Sequence, residues 1–200
     1  MKIKILIPIY NDWQSVFKLL ENINSEVSNL GHEFSVIIVN DASTESKPEL
    51  TINLDNLNSI KIINMRENRG HARCNATGLK HIFENEEFDY VIPMDGDGED
   101  RPEEIKQLVD NLNYHPDKPI VGERIKRSEG IFFKLCYFIH KLITYTFTGQ
   151  SIKFGNYSCF NISIPTCEVC YVTRGSKISI QIILRKTKII LFKHFLVWIK

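Results

Sequence analysis

The stretch Val91-Ile92-Pro93-Met94-Asp95-Gly96-Asp97-Gly98-Glu99-Asp100 changes character at one bond. An apolar run of strand length stops at Asp95, and four carboxylates follow within six residues. An apolar run of this length bounded by polar residues suits a strand buried on both faces. Upstream, residues 71–85 carry helical spacing after the loop Asn68-Arg69-Gly70. Downstream, Pro102 suits the first turn of a helix to about Asn113, with Glu103 and Glu104 at its positive end.

The same alternation extends to the N-terminus. Residues 2–10 alternate Lys with Ile and then run apolar, as a buried strand does. Residues 12–30 place Val16, Leu19, Leu20, Ile23, Val27 and Leu30 at helical spacing, with Asn11 or Asp12 as N-cap. Strands are predicted at Phe34–Val39, Ile60–Ile63, Phe88–Met94 and Pro119–Gly122, and a weak helix between the second and third. The order β-α-β-α-β-α-β-α-β predicts an α/β fold with a mostly parallel sheet flanked by helices. In such sheets ligands bind at the carboxyl ends of the strands. Tyr10-Asn11-Asp12, Asn40-Asp41, Asn68-Arg69-Gly70 and Asp95-Gly96-Asp97 all fall there.

Composition bounds the function. The chain has 200 residues, 43% hydrophobic and 24% charged, with a net charge of +1. That is enough chain for one globular core. It lacks the basic excess of a nucleic-acid binder, so no nucleic acid is expected. Acidic residues crowd positions 84–104, and after Glu168 the chain carries Lys and Arg without Asp or Glu. The basic end points to a membrane surface or a phosphorylated substrate as partner. Five cysteines, at 74, 136, 159, 167 and 170, form no even framework. A reducing cytoplasm and packing thiols are expected, rather than zinc at Cys167-x-x-Cys170. No signal peptide and no apolar run of transmembrane length is evident.

The acidic block has three readings. It is a solvated turn ahead of the helix, a calcium loop, or a metal–diphosphate site. An EF-hand count from Asp95 puts Asp100 where Gly is required and Lys106 where Glu is required, which rejects the second. Hard divalent cations favour carboxylate oxygens, which supports the third.

Val91-Ile92-Pro93-Met94-Asp95-Gly96-Asp97, with Pro102-Glu103, resembles the DxD segment of family 2 glycosyltransferases of the GT-A fold. Dolichyl- and polyprenyl-phosphate sugar transferases are the nearest in pattern. Ile7-Pro8-Ile9-Tyr10-Asn11 is similar to the family's opening strand end, and Val39-Asn40-Asp41-Ala42-Ser43-Thr44 to its second turn. Asn68-Arg69-Gly70-His71, with Asn75 and Gly78-Leu79, resembles its third loop. The likeness covers about residues 1–165 as a GT-A domain. Residues 166–200 form a basic-apolar tail, expected to be truncated or atypical.

The resemblance implies a glycosyltransferase using a nucleotide-diphosphate sugar, UDP- or GDP-linked, with Mg²⁺ or Mn²⁺. It implies Pro8, Tyr10 and Asn11 around the nucleoside, Asp41 on the base and Arg69 near phosphate. Asp95 would face ribose and metal, and Asp97 would bind the metal, the two forming the catalytic pair. Asn40 stands where the family often has Asp. Arg124 and Arg127 are phosphate or acceptor candidates, with local salt bridges as the alternative, and Phe154–Ser158 would border the acceptor. The acceptor implied is a polyprenyl phosphate or a glycan precursor. Arg127, Lys134 and Lys141 recur every seven residues in an apolar segment, which suits a helix lying on the cytoplasmic face of a membrane or packed in the core. Two other functions stay open: a degenerate nucleotide- or membrane-binding member of the fold, and a sugar nucleotidyltransferase. The second lacks the Gly-rich loop expected after the first strand.

Overall fold

The computed structural model describes residues 1–49, 52–114, 119–123, 154–161, 169–174 and 177–182. Four parallel strands form the central sheet: β1 (Lys2–Ile9), β2 (Glu33–Asn40), β3 (Ser59–Asn64) and β4 (Tyr90–Pro93). Their spatial order is β3-β2-β1-β4. Register puts Ile9 beside Asn40, Asn40 beside Asn64, and Leu6 beside Pro93. All four strands therefore end on one rim.

Successive strand residues face opposite sides, and the two sides carry separate cores. Ile3, Ile5, Ile7, Phe34, Val36, Ile38 and Ile92 pack under α1 (Trp13–Val27) and α3 (Ile105–Tyr114). Leu6, Ile37, Val39 and Val91 face the other way, toward Cys74, Leu79 and Ile82 of α2 (His71–Asn85). Helix α1 starts where Asp12 accepts the Ser15 N–H. A 3₁₀ turn at Pro102–Glu104 leads into α3.

Two sequence expectations need correction. No helix links β2 to β3 among the described residues. That segment is rich in Asn, Asp and Ser, whose side chains compete with helical backbone bonds. Asn53 donates to Asp55, and Asn56 bonds to Asn24 of α1 through both its backbone and its side chain. The fifth strand, β5 (Ile120–Glu123), pairs antiparallel with β6 (Phe154–Cys159) instead of adding a parallel strand. An antiparallel bridge between Val91 and Phe160 carries the end of this pair onto the β4 edge. A further antiparallel pair joins β7 (Val169–Arg174) to β8 (Lys177–Ile182). Arg124, Arg127, the basic stripe to Lys141 and Cys167 lie outside the described residues. None of the described helices is long and apolar enough to cross a membrane.

Helix α2 lies close on the sheet, and Gly78 is the reason it can. A Cβ at this position would stand 2.3 Å from Leu6 Cδ1 and 2.9 Å from Val39 Cγ2. Leu6 and Val39 are fully buried, so neither has room to retreat. Gly78→Ala gains helix propensity and loses more to overpacking, on the order of 1–3 kcal/mol. Urea unfolding should show a lower midpoint at unchanged slope.

The far end of α2 is held by charge. Glu86 is nearly buried, and its carboxylate accepts from Lys4 at 3.0 Å and Lys61 at 2.5 Å. Burial works to raise the Glu86 carboxyl, but the two lysines overcome it and hold it below the usual carboxylate range. A depressed folded-state value stabilises above the unfolded carboxylate value, near 4.3, and that stabilisation is lost as pH falls through the folded value. Glu86→Gln should lower stability at pH 7 by about 1–3 kcal/mol. The wild-type and variant melting curves should converge below about pH 4, measured by circular dichroism.

Candidate functional site

Four loops meet on the rim where the parallel strands end. Their side chains bond mainly to one another, across long sequence distances. Asn11, with φ at 56°, takes a left-handed conformation that Asn tolerates better than most residues. Its side-chain oxygen accepts the N–H groups of Thr44 and Glu45, and its backbone N–H donates to Ser43 Oγ. Asn11 thus fastens the β1 loop to the β2 loop.

Asp41 is buried, and both of its carboxylate oxygens are engaged. Oδ1 accepts the Arg69 N–H at 2.8 Å, and Oδ2 accepts the Gly70 N–H at 2.7 Å. Gly70 has φ at 83°, a conformation that favours glycine, and its carbonyl receives the first turn of α2. Asp41 therefore sets the start of α2. Asn40 accepts the Ser43 N–H and donates its amide to Asn64. An Asp at position 40 could make the first bond but not the second.

The acidic loop is not four equivalent charges. Asp100 turns inward, buried, and its Oδ2 accepts the Asp95 N–H at 2.9 Å. Beside it the Tyr157 phenol donates to the Arg101 carbonyl, and burial together with Asp100 pushes that phenol's ionisation strongly up. Asp97 is exposed and accepts the Glu99 N–H. Gly96 sits where a Cβ would meet the Pro8 carbonyl oxygen at 3.0 Å and Val16 Cγ2 at 3.2 Å. The loop can approach the end of β1 because Gly96 has no side chain.

This packing leaves a cleft of about 210 Å³ lined by Pro8, Ile9, Tyr10, Asp12, Val16, His71, Asp95, Gly96 and Asp97. Pro8, Tyr10, Asp95 and Asp97, four of the residues singled out in the sequence, converge here. Tyr10 is half exposed at its lip. Asn11, Asp41 and Arg69 are not among the lining residues. Asn11 and Asp41 brace the loops, and the Arg69 guanidinium pairs with Glu67 on the surface. His71, given no role from the sequence, does line the cleft, and its Nε2 is 3.3 Å from Asp95 Oδ1. The signal for it was its place at the first residue of α2, directly after Gly70. A larger depression of about 650 Å³ lies at the amino ends of the strands. Its lining includes the Lys2–Glu87 ion pair and the Phe83 and Phe88 rings, away from the acidic loop.

Asp95 and Asp97 place two carboxylates, whose oxygens are hard donors, on one short loop. Among the described residues no group of three or more His, Cys, Asp or Glu side chains could hold a metal ion. A cation on these two carboxylates would need a ligand's phosphates and water to complete its coordination, as Mg²⁺ commonly does.

Comparison with known proteins agrees with this architecture. The chain is 28% identical over 161 residues to the undecaprenyl-phosphate 4-deoxy-4-formamido-L-arabinose transferase of Salmonella paratyphi B, covering 79% of this chain and 47% of that protein. It thus spans about half the length of the curated relatives it matches. The structure of S. aureus TarS 1-349 in complex with UDP-GlcNAc aligns with a TM-score of 0.50 at 23% identity, over 66% of this chain and 37% of that one. The shared fold is that of GT-A glycosyltransferases. Residues 4–161 match the sequence family described as Glycosyl transferase family 2, and the chain belongs to that family.

Proposed function

We propose that this chain binds a nucleotide-diphosphate sugar, UDP- or GDP-linked, and transfers the sugar to an acceptor, and that Asp95 and Asp97 are the residues that would hold the Mg²⁺ or Mn²⁺ assisting it. The observation that carries this reading is the convergence of Asp95 and Asp97 with Pro8 and Tyr10 in one cleft at the strand ends. About 210 Å³ holds a nucleobase or a metal-bound diphosphate, and is below the range of about 300–1,000 Å³ for a drug-sized ligand. A cleft of this size supports the core of a donor site and not room for a whole donor.

In this reading Asp95 and Asp97 would hold a divalent cation, which when bound would supply positive charge to stabilise the departing diphosphate. The chain's own residues do the positioning. Pro8 and Tyr10 flank the nucleoside, while Asn11 and Asp41 hold the surrounding loops in place. The bond from the sugar's anomeric carbon to the diphosphate oxygen breaks, and a bond to the acceptor oxygen forms. The nucleoside diphosphate leaves with the electron pair. The similar protein from Salmonella is named for an undecaprenyl-phosphate acceptor, which supports a polyprenyl phosphate here. A phosphate oxygen is already anionic, so no general base is needed and catalysis is positioning plus electrostatics.

Titration calorimetry with UDP, GDP and their sugars, each with and without Mn²⁺ or Mg²⁺, tests the reading. One base family should bind, and binding should depend on the metal. Absence of nucleotide binding with either metal refutes it.

A further inference from the structure

His71 stands between two side chains that make opposite demands on one ring nitrogen. Its Nε2 lies 3.3 Å from Asp95 Oδ1 and 2.9 Å from Asn75 Nδ2. A bare Nε2 would give its one lone pair to the Asn75 amide and leave the Asp95 carboxylate 3.3 Å from an electron-rich nitrogen with no hydrogen between them. An Nε2–H would instead donate to Asp95, and then Asn75 must present its oxygen to the ring. Asn75 is 2% exposed, and its Oδ1, placed away from the ring, has no hydrogen-bond partner among the described residues. No donor among the described residues holds that oxygen there, so the amide can turn and offer Oδ1 to Nε2–H. Amide orientation and histidine tautomer follow from the hydrogen-bond network, and this network favours the neutral tautomer with its hydrogen on Nε2.

We propose that His71 is a positioning residue for Asp95: its Nε2–H, oriented by the buried Asn75, fixes the carboxylate that faces the diphosphate site. The inference rests on the donor site proposed above. Groups that orient a metal-binding side chain set affinity without touching the metal, typically by about 10–100-fold. Asn75 is four residues after His71, so α2 places both side chains on one face. Asp95 lies on the loop opposite. The β4 loop and the α2 start are thereby registered against each other at the mouth of the cleft.

The test is calorimetry with UDP or GDP, with and without Mn²⁺, on wild type, His71→Ala, His71→Gln and Asn75→Leu. His71→Ala should weaken the metal-dependent affinity about 10–100-fold, weaken the metal-free nucleotide affinity by much less, and keep a near-wild-type melting temperature. His71→Gln, which keeps an N–H donor at similar reach, should restore most of the loss. Equal losses with and without metal would make His71 a nucleotide contact and overturn the proposal, as would no loss at all. Long-range ¹H–¹⁵N spectra of the nucleotide-free wild type give a second reading. They should show the Nε2–H tautomer at His71, disturbed in Asn75→Leu, and an Nδ1–H tautomer overturns the proposal. That spectrum stands even if wild type binds no nucleotide, so failure of the donor-site reading and failure of this inference are separable.

Discussion

Replacing Asp97 by Asn should abolish the metal-dependent part of UDP or GDP binding and slow turnover of the donor sugar by on the order of 10²–10³-fold. The substitution isolates charge from shape. The amide introduced by Asp97→Asn keeps an oxygen to accept the Glu99 N–H, so the turn should survive. What disappears is the charge of one of the three carboxylates, Asp12, Asp95 and Asp97, that line the cleft. Asp97 is exposed, and such substitutions usually stay within about 0.5 kcal/mol, so the melting temperature should move by no more than about 2 °C. Asp100→Asn makes the contrast. Asp100 carries the same charge three residues away but is buried on the Asp95 N–H, so its loss should appear first as lost stability. If Asp97→Asn binds metal and nucleotide as wild type does, the donor site does not use this carboxylate.

Asp41→Asn should cost about 1.5–3 kcal/mol of folding stability, even though one atom changes. Each Asp41 oxygen accepts a backbone N–H, from Arg69 and from Gly70. An amide can satisfy one of them and must point its own N–H₂ at the other. Burial shuts out the solvent that would relieve that clash. Gly70 opens α2, and α2 carries His71 into the cleft, so the damage should also reach nucleotide affinity. Chemical denaturation gives the first quantity and calorimetry with Mn²⁺ and nucleotide the second. A side chain that only touched a nucleobase would change affinity and leave the unfolding midpoint where it was. That outcome would restore to Asp41 the base contact implied by family resemblance and remove the bracing role.

Local pattern carries some of these features and not others. The run Phe34–Val39 is apolar except at Ser35, and the run Val91–Met94 is apolar throughout. Burial on two faces explains such runs, and both belong to strands of the parallel sheet. The spacing over residues 71–85 coincides with α2, because Gly70 stops the preceding chain and the apolar face is continuous. Parallel strands share a direction, so their polar ends had to gather on one rim. Family membership was readable for the same reason, since its signature lies in those strand ends.

Tertiary packing decided which polar residue does what. In the sequence Asp95, Asp97, Glu99 and Asp100 are one acidic block. Asp100 is drawn inward beside Tyr157, far along the chain. Asp41 and Asn11 look like ligand-binding groups in a rim motif, yet their partners are backbone amides 28 to 34 residues away. His71 lacks a local pattern that marks it, and gains significance from Asp95 and Asn75 together. Hydrophobic periodicity is set by each residue's near neighbours and survives in the one-dimensional string. Hydrogen-bond assignments are made between loops that meet only after the sheet has formed. The sequence alone therefore determined the sheet and the rim where its polar strand ends gather, and it pointed to the acidic loop. Only the folded chain separated Asp95 and Asp97, which face the cleft, from Asp100 and Asp41, which hold it in shape.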